Sequence, residues 1–120
     1  MKIAIPTDGK SMESAVCVSF GRAPFFLLYD TESKTENFVP NTAADAQGGA
    51  GLKAAQLVVD MGADTLLTVR CGQNAADVLV AAGIKVYKTA APTVAENLRD
   101  FAEGKLSVMT QFHAGFHGRQ

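Results

Sequence analysis

From Thr65 onward the sequence alternates short apolar runs with helix-like segments, and this alternation restricts the chain more than any other feature. Thr65 to Val69 reads as a buried strand, about Asn74 to Ala82 as a helix terminated by Gly83, and Ile84 to Tyr87 as the next strand. Ahead of them, Leu52, Ala55, Gln56 and Val59, with neighbouring Leu57 and Val58, suit a helix with a broad apolar face that Gly62 stops. Strands separated by helices require parallel pairing with the helices crossing over the sheet, right-handed by rule.

The first half follows a different pattern. Lys2 to Pro6 is a first strand closed by the turn Thr7-Asp8-Gly9, and residues 10 to 23 show no period and read as a long loop. PFFLLYD, 24 to 30, and Thr35 to Val39 flank the polar turn TESK and should form an antiparallel hairpin. Pro92-Thr93 opens a last helix, with Val94, Leu98 and Phe101 on one face, that ends at Gly104. The sum is an α/β domain with a mixed sheet, antiparallel at one edge and parallel at the other, flanked by helices. We expect one domain over 1–109 and a mobile, histidine-containing tail over 110–120.

With 48% hydrophobic residues in 120, the domain can bury a sizeable core without disulfide staples. A net charge of -1 leaves no clustered Lys and Arg for nucleic acid, so no nucleic-acid partner is expected. The start, MKIAIPTDG, has too short an apolar stretch for a signal core or a membrane span, which points to a cytoplasmic protein with no membrane partner. Two cysteines far apart in sequence, with no CxxC, then default to free thiols.

In open α/β sheets, ligands collect where parallel strands end and helices begin, because helix N-termini offer free N–H donors there. Three segments should meet at that end. Gly48 to Gly51, GGAG, leads into a helix and would let backbone amides approach an anion, although it has neither a P-loop ending nor dinucleotide spacing; a plain tight loop is the alternative. Cys71, in VRCGQNAAD, follows a strand and precedes a helix, where the dipole and Arg70 are expected to lower its pKa. Gly72 permits the turn and Asn74 is a good cap, yet on the residues alone a buried packing cysteine is the favoured reading. The loop holding Cys17, Ser19, Phe20 and Arg22 sets a soft sulfur beside a guanidinium, a pairing suited to an anionic metal–sulfur species; the alternative is a surface loop pinned by Phe20.

His113 and His117 have an i, i+4 spacing that a metal site uses on a helix, but Ala114-Gly115-Phe116 between them works against a helix. Asp8, Asp30, Asp45 and Asp64 fall at strand ends and loops, where aspartate serves turns and caps. No Ser/His/Asp or Cys/His pattern points to a hydrolase.

MKIAIPTDG, SFGRAPFFLLYD at 19–30, GGAGLKAAQLVVDMGAD at 48–64 and CGQNAADVLVAAGIKVY at 71–87, in that order, resemble the dinitrogenase iron-molybdenum cofactor biosynthesis family over nearly the whole domain. The resemblance implies a ribonuclease H-like fold with a five-stranded mixed sheet. It also implies a non-enzymatic, nitrogenase accessory factor-like carrier of iron-molybdenum cofactor or another metal–sulfur cluster, or of a precursor, working with cluster-handling proteins. By position, Phe20, Gly21, Arg22 and Ala23 match the F-G-R-A element, Gly48 to Gly51 the glycine-rich element, and Gly72, Asn74 and Ala75 the G-x-N-A turn. Ser19 stands where many relatives have histidine, and many lack a thiol at 71. Cys17 and Cys71 are therefore candidate substitute ligands. A thiol redox or persulfide-transfer protein using Cys71, with Cys17 resolving it, and a metal-free interaction domain are the competing readings.

Overall fold

The computed structural model describes residues 1–112, so His113 and His117 lie outside the described residues. The chain runs β1 (Lys2–Thr7), β2 (Phe25–Asp30), β3 (Thr35–Pro40), α1 (Ala50–Asp60), β4 (Thr65–Thr68), α2 (Gln73–Ala81), β5 (Lys85–Lys88), α3 (Val94–Ala102) and β6 (Ser107–Val108). The strands form one mixed sheet in the order β3-β2-β1-β4-β5-β6. β1, β4 and β5 are mutually parallel, while β2 pairs antiparallel with both β1 and β3.

The sheet has six strands among the described residues, where five were expected. The addition is β6, two residues that pair antiparallel with β5 through Tyr87↔Val108 and Lys88↔Ser107. Leu106 ahead of it is buried, so the chain is drawn back to the sheet by one apolar anchor that is too short to read as a strand.

Residue alternation splits the core between the two faces of the sheet. Ala4, Leu66 and Val86 point to the face covered by α1 and α2, together with Phe26, Ala54, Val58, Ala75 and Leu79. Ile3, Ile5 and Leu67 point to the other, which Val94, Leu98 and Phe101 of α3 cover. All four residues of β4, TLLT, are buried, as a central parallel strand with both faces covered requires. Each helix is followed by a glycine at positive φ, Gly62, Gly83 and Gly104, which ends it where the sequence indicates.

Two helix boundaries differ from expectation. α1 begins at Ala50 rather than Leu52, and its buried stripe is Ala50, Ala54, Ala55 and Val58, leaving Leu52 43% exposed. α2 begins at Gln73, with Gly72 at the N-cap, so Asn74 sits in the first turn and does not cap. α3 starts as its sequence indicates, with a capping box in which Thr93 Oγ1 accepts from Glu96 N–H and the Glu96 carboxylate accepts from Thr93 N–H.

Candidate functional site

The long loop after β1 is tied to the end of that strand. Val16 bridges Thr7, and Cys17 N–H donates to Pro6 O at 2.9 Å. Beyond this tie, residues 18–22 turn toward the α1 and α2 face. There they meet residues 47–52 at the start of α1, and 70–72 with 74–75 at the start of α2, around an open cavity of about 620 Å³. The cavity thus lies at the carboxyl ends of the parallel strands, where an open α/β sheet gathers its loops.

Each residue of the F-G-R-A element has a distinct physical job. Phe20 is 4% exposed and meets Phe26 edge to face at 5.4 Å, which anchors the loop in the core. Gly21 allows the loop to touch α1, since a Cβ there would fall 2.8 Å from Gly51 N and 3.0 Å from Ala50 C. Arg22 Nη1 donates to Ala44 O and Ala46 O, both at 2.7 Å, so the guanidinium holds the segment leading to the glycines. Ala23 is fully buried.

A residue that sequence reasoning missed completes this clamp. Asn41 is buried, donates from Nδ2 to Gly21 O (3.1 Å) and Ala23 O (2.9 Å), and accepts at Oδ1 from Ala43 N–H (3.0 Å). The stretch PNTAADAQGGAG, 40–51, has the glycine-rich composition of a flexible connection, yet it is held at one end by Asn41 and in its middle by Arg22.

The helix starts on either side leave donors open. Gly49 reaches the N-cap of α1 with φ 68, a left-handed conformation that glycine adopts without steric penalty, and Gly72 takes the N-cap of α2. Neither has a side chain to satisfy the first-turn N–H groups, in contrast to α3 with its capping box. The first-turn amides of Ala50, Gly51 and Leu52, and of Asn74 and Ala75, which have no intrahelical acceptor and no side-chain cap, belong to residues that line the cavity. Two positive dipole ends therefore open on one space, with Arg22 and Arg70 in its wall.

The structure gathers Ser19, Phe20, Gly21, Arg22, Gly48, Gly49, Gly51, Cys71, Gly72 and Asn74 around this cavity; Cys17 is not among the lining residues. Cys17 is half-buried, and its thiol is pushed up by burial and by a hydrogen bond to Asp8. Cys71 is 1% exposed, packed in the core cluster with Leu79 and Val86, and burial pushes its thiol up to about 11. The lowered pKa expected for Cys71 is therefore corrected to a raised one, because burial disfavours the thiolate. Among the described residues its thiol donates to Gly72 O, at 3.6 Å. Behind it lies a smaller cavity of about 200 Å³, shared by Val69, Arg70, Cys71, Lys88, Met109 and Gln111. Among the described residues, no three His, Cys, Asp or Glu side chains gather to hold a metal ion.

This arrangement coincides with a family. The family model "Dinitrogenase iron-molybdenum cofactor" matches residues 1–104. The chain belongs to that family. An uncharacterized protein of Methanocaldococcus jannaschii is 32% identical over 109 residues, which span 88% of this chain and 89% of the relative. The apo form of the orange protein from Desulfovibrio gigas has a similar structure, with a TM-score of 0.85, 33% identity and coverage of 90% of this chain and 92% of its own. A Thermotoga protein of the DUF35 family superposes with a TM-score of 0.82 at 42% identity, covering 95% and 97%. Membership associates the chain with the dinitrogenase iron-molybdenum cofactor. No helix among the described residues is long and apolar enough to cross a membrane.

Proposed function

We propose that this protein is a cytoplasmic, non-enzymatic carrier of an anionic metal–sulfur cofactor, iron-molybdenum cofactor or a related cluster or precursor, that it exchanges with cluster-handling proteins. The observation that carries the reading is the pair of uncapped helix N-termini opening on one cavity between Arg22 and Arg70. Free amides and guanidinium groups suit sulfide-rich anions, and they act without reorganising. Gly49 and Gly51 keep side chains out of the space where the anion would approach the backbone. The order and directions of the first five strands, with three antiparallel strands first, support the ribonuclease H-like reading of the scaffold.

In this reading the amides and Arg70 hold most of the charge, and Cys71 is a wall residue whose sulfur joins the ligand set only if its thiol ionises against the metal. Cys17 would need its loop to turn, and His113 and His117 remain candidate additional ligands outside the described residues. The redox and persulfide-transfer alternative loses support, because it needs a thiolate and burial keeps Cys71 protonated.

Anaerobic reconstitution with iron, molybdate and sulfide, or addition of tetrathiomolybdate alone, should give stoichiometric molybdenum and visible absorbance after desalting. Arg70→Gln should weaken that retention and flatten its salt dependence, while Cys17→Ser should leave it unchanged. Wild type that stays colourless and metal-free under both conditions would refute the carrier role.

A further inference from the structure

The proposed function leaves the smaller cavity behind Cys71 unused. It lies at the carboxyl ends of β4 and β5, where Thr68 and Lys88 are paired in parallel register, and is lined by Val69, Arg70, Cys71, Lys88, Met109 and Gln111. Thr89 N–H donates to Thr68 O at 3.1 Å and Met109 N–H to Val86 O at 2.8 Å, so the backbone here is fixed from both neighbours of β5.

Two of these lining residues are cationic and none is acidic. Lys88 is exposed but not loose. Its Nζ donates to Val69 O at 3.1 Å, which carries the ammonium from β5 across to the end of β4, where Arg70 follows. That bond uses one of the three N–H donors of the ammonium. Arg22 in the main cavity commits Nη1 to Ala44 O and Ala46 O, whereas neither Arg70 nor Lys88 has an acidic partner among the described residues. Two like charges bordering one small space repel, and an anion between them turns the repulsion into attraction.

Size selects the anion. A cavity of about 200 Å³ has the volume of roughly seven water molecules, below the roughly 300 Å³ at which pockets begin to enclose organic ligands. We infer that this cavity is a second anion site, taking one small tetrahedral oxyanion, molybdate or phosphate, between Arg70 and Lys88, with the side-chain amide of Gln111 as a further donor. A guanidinium forks onto two oxygens of such an ion, and an ammonium adds a point charge. The site is separate from the main cavity and does not depend on what fills it.

NMR of the full-length protein at constant ionic strength in chloride tests this, with sodium molybdate and sodium phosphate titrated separately. Each should shift the amides of residues 69–71, 88–89 and 111 along a saturating curve, and the ion with the lower Kd is the one the site serves. Lys88→Gln should raise Kd about tenfold, the loss expected for one charge-assisted hydrogen bond. Gln111→Glu sets a carboxylate at the rim, outside the strands, and should abolish saturation. Lys85→Gln removes an exposed charge of the same strand that does not line the cavity, and should leave Kd unchanged. Shifts that rise without saturating, or that weaken equally in the Lys85 and Lys88 variants, would overturn the site by reducing it to net charge. Saturation confined to residues 49–52 and 72–75 would also overturn it, because the main cavity alone would then hold the ion. Wild type that shows the expected shifts yet never retains tetrathiomolybdate would sink the carrier reading and leave this site standing.

Discussion

The buried thiol of Cys71 gives the sharpest quantitative test. Its ordinary value of 9.0 rises to about 11 in the fold because burial disfavours the thiolate. Below pH 9 the thiol is neutral in both folded and unfolded chains, and its contribution to stability is fully present. As pH rises from 9 toward 11, the unfolded chain releases the proton while the native state retains it, so stability falls. Linkage over two pH units gives a loss of about 2 kcal/mol by pH 11, approaching about 3 kcal/mol beyond it.

Other groups also titrate in that range, so the measurement is a difference between wild type and Cys71→Ala, followed by urea unfolding from pH 8 to 11. At pH 8 the alanine variant should be less stable by about 1–2 kcal/mol, the cost of the lost packing, which does not change with pH. By pH 11 the order should reverse or nearly so. In parallel, maleimide at pH 7.5 should label Cys17, which is half-buried, well before Cys71. A separation between the two unfolding curves that stays constant from pH 8 to 11 would refute the argument that burial governs this thiol.

Two substitutions test the polar and steric fixing of the loops. Asn97 is fully buried in α3; its Oδ1 accepts from Ala90 and Ala91 N–H, and its Nδ2 donates to Ala91 O and Thr93 O. Asn97→Ala leaves these backbone groups without their partner and should destabilise the fold by about 3 kcal/mol in chemical denaturation, with α3 becoming the fastest-exchanging helix; a change below about 1 kcal/mol would contradict it. Gly21→Ala drives a Cβ into the backbone of Gly51 and Ala50, which cannot give way as a side chain would. A loss of about 1–3 kcal/mol is expected, with chemical shift changes at residues 48–52 in NMR spectra, and an unchanged melting temperature would show that the loop has room to spare.

Elements with period and punctuation were legible in the sequence. TLLT announces a buried strand, and Gly62, Gly83 and Gly104 announce helix ends, because these depend on local chemistry. β6 was not legible because two residues carry no period, and their pairing depends on Leu106 and on the free edge of β5. Asn41 and Asn97 were missed for a related reason. In sequence, asparagine among small residues has the composition of a turn, and only the fold shows that each amide satisfies backbone groups brought together from several segments. For Cys71, its place between strand and helix and its packing were legible, but the depth of its burial was not. Burial depends on α1 and α2 closing over it, and that decides the direction of its pKa.

The three helix starts suggest how this chain divides stability from binding. α3 carries a full capping box and a buried asparagine that together satisfy the backbone around its first turn, and it covers the sheet face away from the cavity. α1 and α2 begin at glycines, with no side-chain cap on either, and both begin at the cavity. A serine or aspartate at Gly72, where φ is -75, would meet no conformational obstacle and should stabilise α2 by up to about 1 kcal/mol. Its oxygen would then occupy the donors that the proposed ligand needs. The molecule holds its loops instead with Asn41 and Arg22, which fasten four backbone carbonyls and the Ala43 amide and leave the first-turn amides of α1 and α2 uncapped. Carbonyls of the flanking loops are tied down while the amides at the starts of α1 and α2 have no side-chain cap, an asymmetry that folding does not require and that the proposed recognition of an anion would use.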